Sequence, residues 1–257
     1  MAILKKNIFG QHLFVKKAIV RVFGSLSYPR FNWVNSTVVS GGEILKDLPD
    51  QKVLFVSNHQ TYFSDVALFL HIFHAALQGK ANTTAHPGYL WSKKHNIYYV
   101  AAEETMKSGL LPKILGLSGA VTVNRSWRSN GENVRRKVDK KEVQNIDLAL
   151  KDGWVITFPQ GTTKPFVKGR LGTAIMIKKH QPIVIPIVID GLRRAFDKKG
   201  MITKKKNTTI RVRIKPPLNI NYDGKVEDIL TQIMDGIEQS PSYNYLGRIK
   251  KEEKEKE

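Results

Sequence analysis

Two ionisable residues, His59 and Asp65, lie within a short polar segment that separates the apolar runs "VLFVS" and "VALFLHIF". A neutral histidine held by a carboxylate can act as a general base, because the carboxylate fixes the tautomer and stabilises the imidazolium that forms. Six positions apart, the two residues would lie on different faces of an ideal helix. A direct contact therefore needs a turn, which a strand-to-helix junction can supply. An isolated pair at this spacing more often means that the aspartate only caps the helix.

Three further segments place polar residues at the ends of predicted strands. "AVTVNR" ends at Arg125, whose guanidinium suits a phosphate oxygen. "WVITFPQGTT" leaves a strand through a turn that contains Gln160, Gly161 and Thr162. "IVIPIVIDG" is an apolar strand interrupted by a proline. Because α/β proteins bind ligands at the carboxyl ends of their strands, these segments and the His–Asp pair are candidates for one site.

The elements that would position these residues alternate between strand and helix patterns. The patterns predict strands over 52–58, 97–103, 120–125, 154–161, 183–191 and 208–220, and helices over 64–77, 133–153, 170–180 and 225–239. The strands are nearly continuous runs of valine and isoleucine, which is typical of a sheet covered on both faces. We therefore predict an α/β fold with a mixed, mostly parallel sheet flanked by helices.

The N-terminal region has a different pattern. Residues 11–27 combine apolar residues with Lys16, Lys17 and Arg21, which predicts an amphipathic helix with a basic face, followed by a loop that contains Pro29. Such a helix can lie in a membrane interface, or it can pack on the core with its basic side in solvent. We predict a membrane-associating segment over 1–34, one domain over 35–245 and a charged tail over 246–257.

Charge and composition limit the partners. The sequence has 42 Lys and Arg against 22 Asp and Glu, a net charge of +20, which attracts polyanions. Basic residues are dense between Arg193 and Lys215, but no aromatic residues alternate with them as a nucleic-acid stacking platform would need. We therefore favour an anionic membrane surface over nucleic acid, and no apolar run approaches the roughly 18 residues of a spanning helix. A peripheral protein on the cytoplasmic face of the membrane is the expectation.

The absence of cysteine excludes several kinds of chemistry. With no cysteine in the sequence, a disulfide framework, a cysteine nucleophile and a thiolate zinc site are ruled out. His71 and His74 on the predicted helix give no convincing metal spacing with His59, and their pattern is that of core or partly exposed histidines. We predict no metal site.

In this order and spacing the four segments resemble the glycerolipid acyltransferases of the 1-acylglycerol-3-phosphate acyltransferase (PlsC-like) family. That family carries an N-H-x4-D block, an arginine block, F-P-E-G-T and an apolar block around a proline, and the resemblance covers roughly residues 35–215. It implies transfer of a fatty acyl group from acyl-CoA or acyl-carrier protein to a lysolipid, most directly 1-acylglycerol-3-phosphate. His59 would deprotonate the acceptor hydroxyl, Asp65 would orient it, and no acyl-enzyme or cofactor would be needed.

The resemblance also assigns substrate-binding residues. Arg125 matches the phosphate-binding arginine, Gly161 and Thr162 match the Gly-Thr of the third block, and Lys168 matches the lysine of a downstream Lys-Gly. Gln160 stands where the family has a glutamate thought to contact the glycerol part of the acceptor. Five residues instead of four separate His59 from Asp65.

These two departures leave alternatives open. The acceptor is another lysolipid, such as an amino-acid lipid, if Gln160 changes the preference. The chain is a lipid-binding protein without activity if the longer spacing disrupts the His–Asp pair. The charge alone leaves a nucleic-acid-binding protein as the third alternative.

Overall fold

A β-sheet is the central element of the computed structural model, which describes residues 5–91, 96–124 and 140–245. Seven strands lie within these residues: β1 (Ser36–Ser40), β2 (Val53–Ser57), β3 (Ile97–Ala102), β4 (Ala120–Val123), β5 (Trp154–Thr157), β6 (Ile183–Asp190) and β7 (Thr209–Ile214). Their order across the sheet is β1-β7-β6-β2-β5-β3-β4. Neighbouring strands are parallel except for β6 and β7, which are antiparallel. The predicted mixed, mostly parallel sheet is confirmed.

Helices cover both faces of this sheet. The described α-helices are α1 (Leu13–Asn32), α2 (Ser64–Ala76), α3 (Glu103–Lys107), α4 (Leu110–Gly116), α5 (Lys140–Asp152), α6 (Leu171–His180), α7 (Leu192–Ala195) and α8 (Val226–Gly236). Successive side chains of a strand point to opposite faces, so Phe55 packs in a core with α2, whereas Leu54 and Val56 pack in a second core with α6 and α8. Every residue of β2 is therefore buried. No described helix is both long and apolar enough to cross a bilayer.

Two features between residues 28 and 40 differ from the sequence prediction. The predicted loop around Pro29 is wrong, because α1 continues to Asn32 and ends where the N–H groups of Trp33 and Val34 both donate to the Pro29 carbonyl. The missing N–H of a proline removes only one hydrogen bond so near the helix end. Strand β1 was not predicted, because it is short, buries only Val39 and pairs with a strand more than 170 residues later.

Helix α1 packs against the domain through one side and leaves an apolar stripe on the other. Val20 and Phe31 are buried, while Val15, Val22 and Leu26, on the opposite side, are 40%, 56% and 66% exposed. The predicted helix is confirmed, but its predicted basic face is wrong at Lys16, which is buried. The Lys16 ammonium lies 4.0 Å from the centre of the Tyr98 ring, which attracts a cation.

Lys16 makes the stability of the protein depend on pH. Burial lowers its pKa from 10.5 to about 8, although nearby Asp152 acts in the opposite direction. Between these two values the folded protein has lost the proton that the unfolded chain still holds, so the free energy of unfolding rises with pH there. We expect Lys16→Met to raise the free energy of unfolding at neutral pH by about 1–3 kcal/mol and to remove this rise.

Urea unfolding of both proteins at a series of pH values measures the difference. Because any other group that titrates at alkaline pH is common to both proteins, only the difference between the two profiles reports on Lys16. Parallel pH profiles would contradict the assignment.

Candidate active site

His59 and Asp65 are in direct contact. Strand β2 ends at Ser57, and α2 begins at Ser64, so the two residues lie at either end of the connection. His59 Nδ1 is 2.8 Å from Asp65 Oδ2, with the histidine side chain 14% exposed and the aspartate side chain 0% exposed. The turn that the sequence required is therefore present, with five residues between them instead of four.

The hydrogen bonds of Asp65 fix the tautomer of His59. Besides His59, the carboxylate accepts hydrogen bonds from the N–H of Gln60 at 2.7 Å and from the N–H and hydroxyl of Thr61 at 2.9 and 2.7 Å. A carboxylate that accepts bonds on both oxygens from N–H and O–H donors is an acceptor for His59 as well, so Nδ1 carries the hydrogen. The other ring nitrogen, Nε2, is then the basic one. This is the arrangement of a general base with its orienting carboxylate.

The start of the turn is anchored to strand β6. The Asn58 side chain donates to the Ile189 carbonyl and accepts from the Ile189 N–H, both at 2.8 Å. Gln60 donates to the same carbonyl at 2.9 Å and accepts from the N–H of Arg193 at 3.1 Å. Both side chains are buried, so these bonds hold His59 at the carboxyl end of β2 without competition from water.

His59 lines a cavity of about 1020 Å³ at the carboxyl ends of β3, β4 and β5. Most of the described lining is apolar and comes from these strands and from α3, α5 and α6. The imidazole stacks on the Phe158 ring, with centroids 4.0 Å apart. Tyr99 also lines the cavity, and burial raises the pKa of its hydroxyl to about 12, so the hydroxyl stays protonated and donates to the Leu115 carbonyl.

The turn after β5 brings two of the sequence-predicted residues to this cavity. Gly161 and Thr162 both line it. Gly161 has φ +61°, and a Cβ there would lie 2.6 Å from Nε of Arg170, so this position requires glycine. Gly161 and Thr162 therefore share the cavity with His59.

Two other predicted site residues do not line the cavity, and a third lies outside the described residues. Gln160 is buried and is not among the described lining residues; its amide nitrogen donates to the Val167 carbonyl at 3.0 Å and to Gln239 Oε1 at 3.2 Å. Lys168 is exposed and is also not among them. Arg125 lies outside the described residues, directly after Asn124, which lines the cavity.

The cavity contains two cationic residues that the sequence did not single out, Arg170 and Lys179. Arg170 is the residue before α6, and its Nε donates to the Gln160 carbonyl at 3.0 Å. The sequence did contain a signal for Arg170, because this residue begins a predicted helix that follows a candidate turn. The described lining contains no aspartate or glutamate, so this part of the cavity favours an anionic ligand.

The two histidines of α2 belong to the core. This is one of the two interpretations that the sequence pattern allowed, the other being partly exposed histidines. His71 is buried, with Nδ1 2.9 Å from the Tyr89 hydroxyl and Nε2 2.9 Å from the Ser27 hydroxyl. His74 is buried as well. Within the described part of the chain, no group of three or more potential ligands is arranged to hold a metal ion.

Comparison with known proteins links this geometry to a family. A family model described as Acyltransferase matches residues 37–190. Among solved structures, the crystal structure of the 1-acyl-sn-glycerophosphate (LPA) acyltransferase, PlsC, from Thermotoga maritima has a similar fold, with a TM-score of 0.53. The two sequences are 16% identical, and the match covers 86% of this chain and 76% of that chain. A search of curated proteins found no significant match.

Proposed function

The chain belongs to the acyltransferase family, and on that premise we propose that it transfers a fatty acyl group from a thioester to the hydroxyl of a lysolipid. The observation that carries the proposal is the 2.8 Å contact between His59 Nδ1 and Asp65 Oδ2 at the wall of an apolar cavity. The contact leaves Nε2 of a tautomerically fixed imidazole available to a substrate, and the cavity has the chemistry that an acyl chain requires.

In the proposed reaction His59 Nε2 removes the proton of the acceptor hydroxyl as its oxygen attacks the thioester carbonyl carbon. The tetrahedral intermediate then expels the thiolate, which takes the proton back from the imidazolium. Asp65 stabilises the imidazolium between these two steps. The sequence has no cysteine, in keeping with direct transfer without an acyl-cysteine intermediate. The donor is acyl-CoA or acyl-carrier protein, and the reaction uses no other cofactor.

We propose 1-acylglycerol-3-phosphate as the acceptor, which gives phosphatidic acid. An anionic head group suits a cavity whose described lining contains two cationic residues, Arg170 and Lys179, and no acidic residue. Arg125 would bind the phosphate, and Gly161 and Thr162 would border it. We also propose Gln160 and Lys168 as substrate-binding residues. Their role depends on which acceptor is bound. An amino-acid lipid is the second candidate, since Gln160 replaces the glutamate that resembling enzymes carry.

The proposed location is the cytoplasmic face of an anionic membrane, to which the protein binds peripherally. The apolar stripe of α1, formed by Val15, Val22 and Leu26, continues at Trp33, which is 74% exposed. Apolar side chains of this kind enter the interface, while basic residues contribute about 1 kcal/mol each near an anionic surface. The net charge of +20 gives the attraction.

An acyl-transfer assay on the purified full chain tests the function. Acyl-CoA and acyl-carrier protein are each offered with 1-acylglycerol-3-phosphate, with a lysophospholipid that has a blocked phosphate, and with a lysolipid that has an amino-acid head group. The acceptors are presented in vesicles with and without anionic phospholipid. We expect the fastest transfer to 1-acylglycerol-3-phosphate on anionic vesicles. Folded protein that turns over none of the acceptors with either donor would refute the proposal, and preference for the amino-acid lipid would reassign the acceptor.

A further inference from the structure

Residues 196–203 form a turn that lies against the connection between His59 and Asp65. Three consecutive carbonyl groups of this 196–203 turn, those of residues 198–200, accept hydrogen bonds from three consecutive residues, 62–64. The N–H groups of Tyr62 and Phe63 donate to the first two at 3.1 and 3.0 Å, and the hydroxyl of Ser64 donates to the carbonyl of Gly200. Three of the five residues that separate His59 from Asp65 are thus hydrogen-bonded to a segment more than 130 positions later in the chain.

The 196–203 turn is also held by hydrogen bonds within itself. Asp197 Oδ1 accepts the N–H groups of Met201 and Ile202 at 2.7 and 2.9 Å, and the N–H of Gly200 donates to the Asp197 carbonyl at 2.9 Å. Burial raises the pKa of Asp197, but these backbone donors outweigh it and hold the pKa below its ordinary value. Arg30 of α1 donates to the Met201 carbonyl, which ties the turn to the rest of the protein.

Gly200 is the point of closest approach. Its φ of +80° is in the left-handed region, and a Cβ there would lie 2.8 Å from both the backbone nitrogen of Ser64 and the hydroxyl oxygen of Thr61. The Thr61 hydroxyl is the group that donates to Asp65 Oδ1 at 2.7 Å. Any side chain at position 200 therefore displaces a direct hydrogen-bond partner of Asp65, two contacts from the imidazole.

We propose that the 196–203 turn is the positioning element of the His59–Asp65 pair, with Gly200 and Asp197 as its positioning residues. By accepting the hydrogen bonds of residues 62–64, the turn allows a five-residue connection to place the imidazole on the carboxylate. The effect on catalysis rests on the proposed function, whereas the effect on the geometry of the pair does not.

The test compares Gly200→Ala with Gly79→Ala. Gly79 has a similar φ of +82°, but a Cβ there would have no atom within 4 Å. Both variants therefore place alanine at a similar positive φ, and only Gly200→Ala displaces a neighbour. We expect Gly200→Ala to lower kcat about tenfold or more with KM unchanged, since small misplacements of a catalytic group have effects of this size. We also expect it to weaken the downfield NMR signal of the hydrogen-bonded His59 Nδ1 proton. Gly79→Ala should retain kcat and the signal.

A second variant keeps the test decisive if Gly200→Ala does not fold. Asp197→Ala adds no atoms, and we expect it to speed hydrogen exchange at the Tyr62 and Phe63 amides and to lower kcat with KM retained. The proposal is overturned if Gly200→Ala matches Gly79→Ala in kcat and in the Nδ1 signal, or if Asp197→Ala leaves both exchange and kcat unchanged. If the wild-type chain transfers no acyl group, the proposed function fails, and the NMR and exchange results alone decide the positioning role.

Discussion

Replacing His59 with alanine should lower kcat for acyl transfer by about a thousandfold, the range expected for loss of a positioned general base. His59 is the only described cavity residue with a ring nitrogen that is hydrogen-bonded to a buried carboxylate. Alanine leaves Asp65 with its three other donors, from Gln60 and Thr61, so the carboxylate stays satisfied. The fold should therefore persist, and the KM for the acceptor should change little.

Steady-state kinetics with the best donor and acceptor measure this effect, together with thermal unfolding and vesicle binding. His12→Ala is the matched control, because His12 is an exposed histidine at the start of α1. The control should retain wild-type kcat. A His59→Ala protein with wild-type kcat would exclude His59 as the base.

Asp65→Asn should have an effect at least as large, about 10⁴-fold in kcat, and should also destabilise the fold. The carboxylate accepts four hydrogen bonds, from His59, Gln60 and twice from Thr61. An asparagine that keeps its oxygen towards Thr61 turns its NH₂ towards the Gln60 N–H and His59 Nδ1. Nδ1 must then accept, Nε2 carries the hydrogen, and the base is lost. The buried Gln60 N–H is left without an acceptor, which costs about 1–3 kcal/mol.

Asp190→Asn is the control for replacing a carboxylate with an amide. Asp190 is 51% exposed at the end of β6 and pairs with Arg194, so its replacement should alter neither kcat nor the cavity. Kinetics and urea unfolding of both variants measure the two effects. Asp65→Asn with unchanged activity would show that the tautomer of His59 is irrelevant to the reaction.

The sequence is sufficient to predict the positions of those site residues that directly follow strands. His59 comes two residues after β2, Gly161 and Thr162 follow β5, and the two strands are parallel neighbours. The carboxyl ends of such strands meet at one edge of the sheet, so the strand pattern predicts that these residues share a cavity. The continuous apolar runs also predict the burial of both faces, since no polar alternation marks a solvent side.

The sequence was insufficient wherever a residue's partner is distant along the chain. Asn58 is hydrogen-bonded to Ile189, 131 positions away, and residues 62–64 are hydrogen-bonded to the 196–203 turn. No local periodicity of the sequence predicts either pairing. The sequence pattern predicts that Lys16 is solvated, as most lysines are. The two groups that favour its charged form when buried, the Tyr98 ring and Asp152, are distant along the chain. Gln160 was placed in the site by resemblance, whereas its side-chain partners come from the loop that follows and from the segment after α8.

The environment of Gln160 restricts which residues can replace it. Its NH₂ group points at two oxygens, the Val167 carbonyl and the side-chain oxygen of Gln239, which also accepts the N–H of Phe166. A glutamate at position 160 would have no hydrogen to offer and would set a negative charge against both oxygens. Gln160→Glu would therefore need a hydrogen-bond donor at position 239 or a rearrangement of that segment. In this chain the residue at position 239 should therefore decide which substitutions position 160 tolerates.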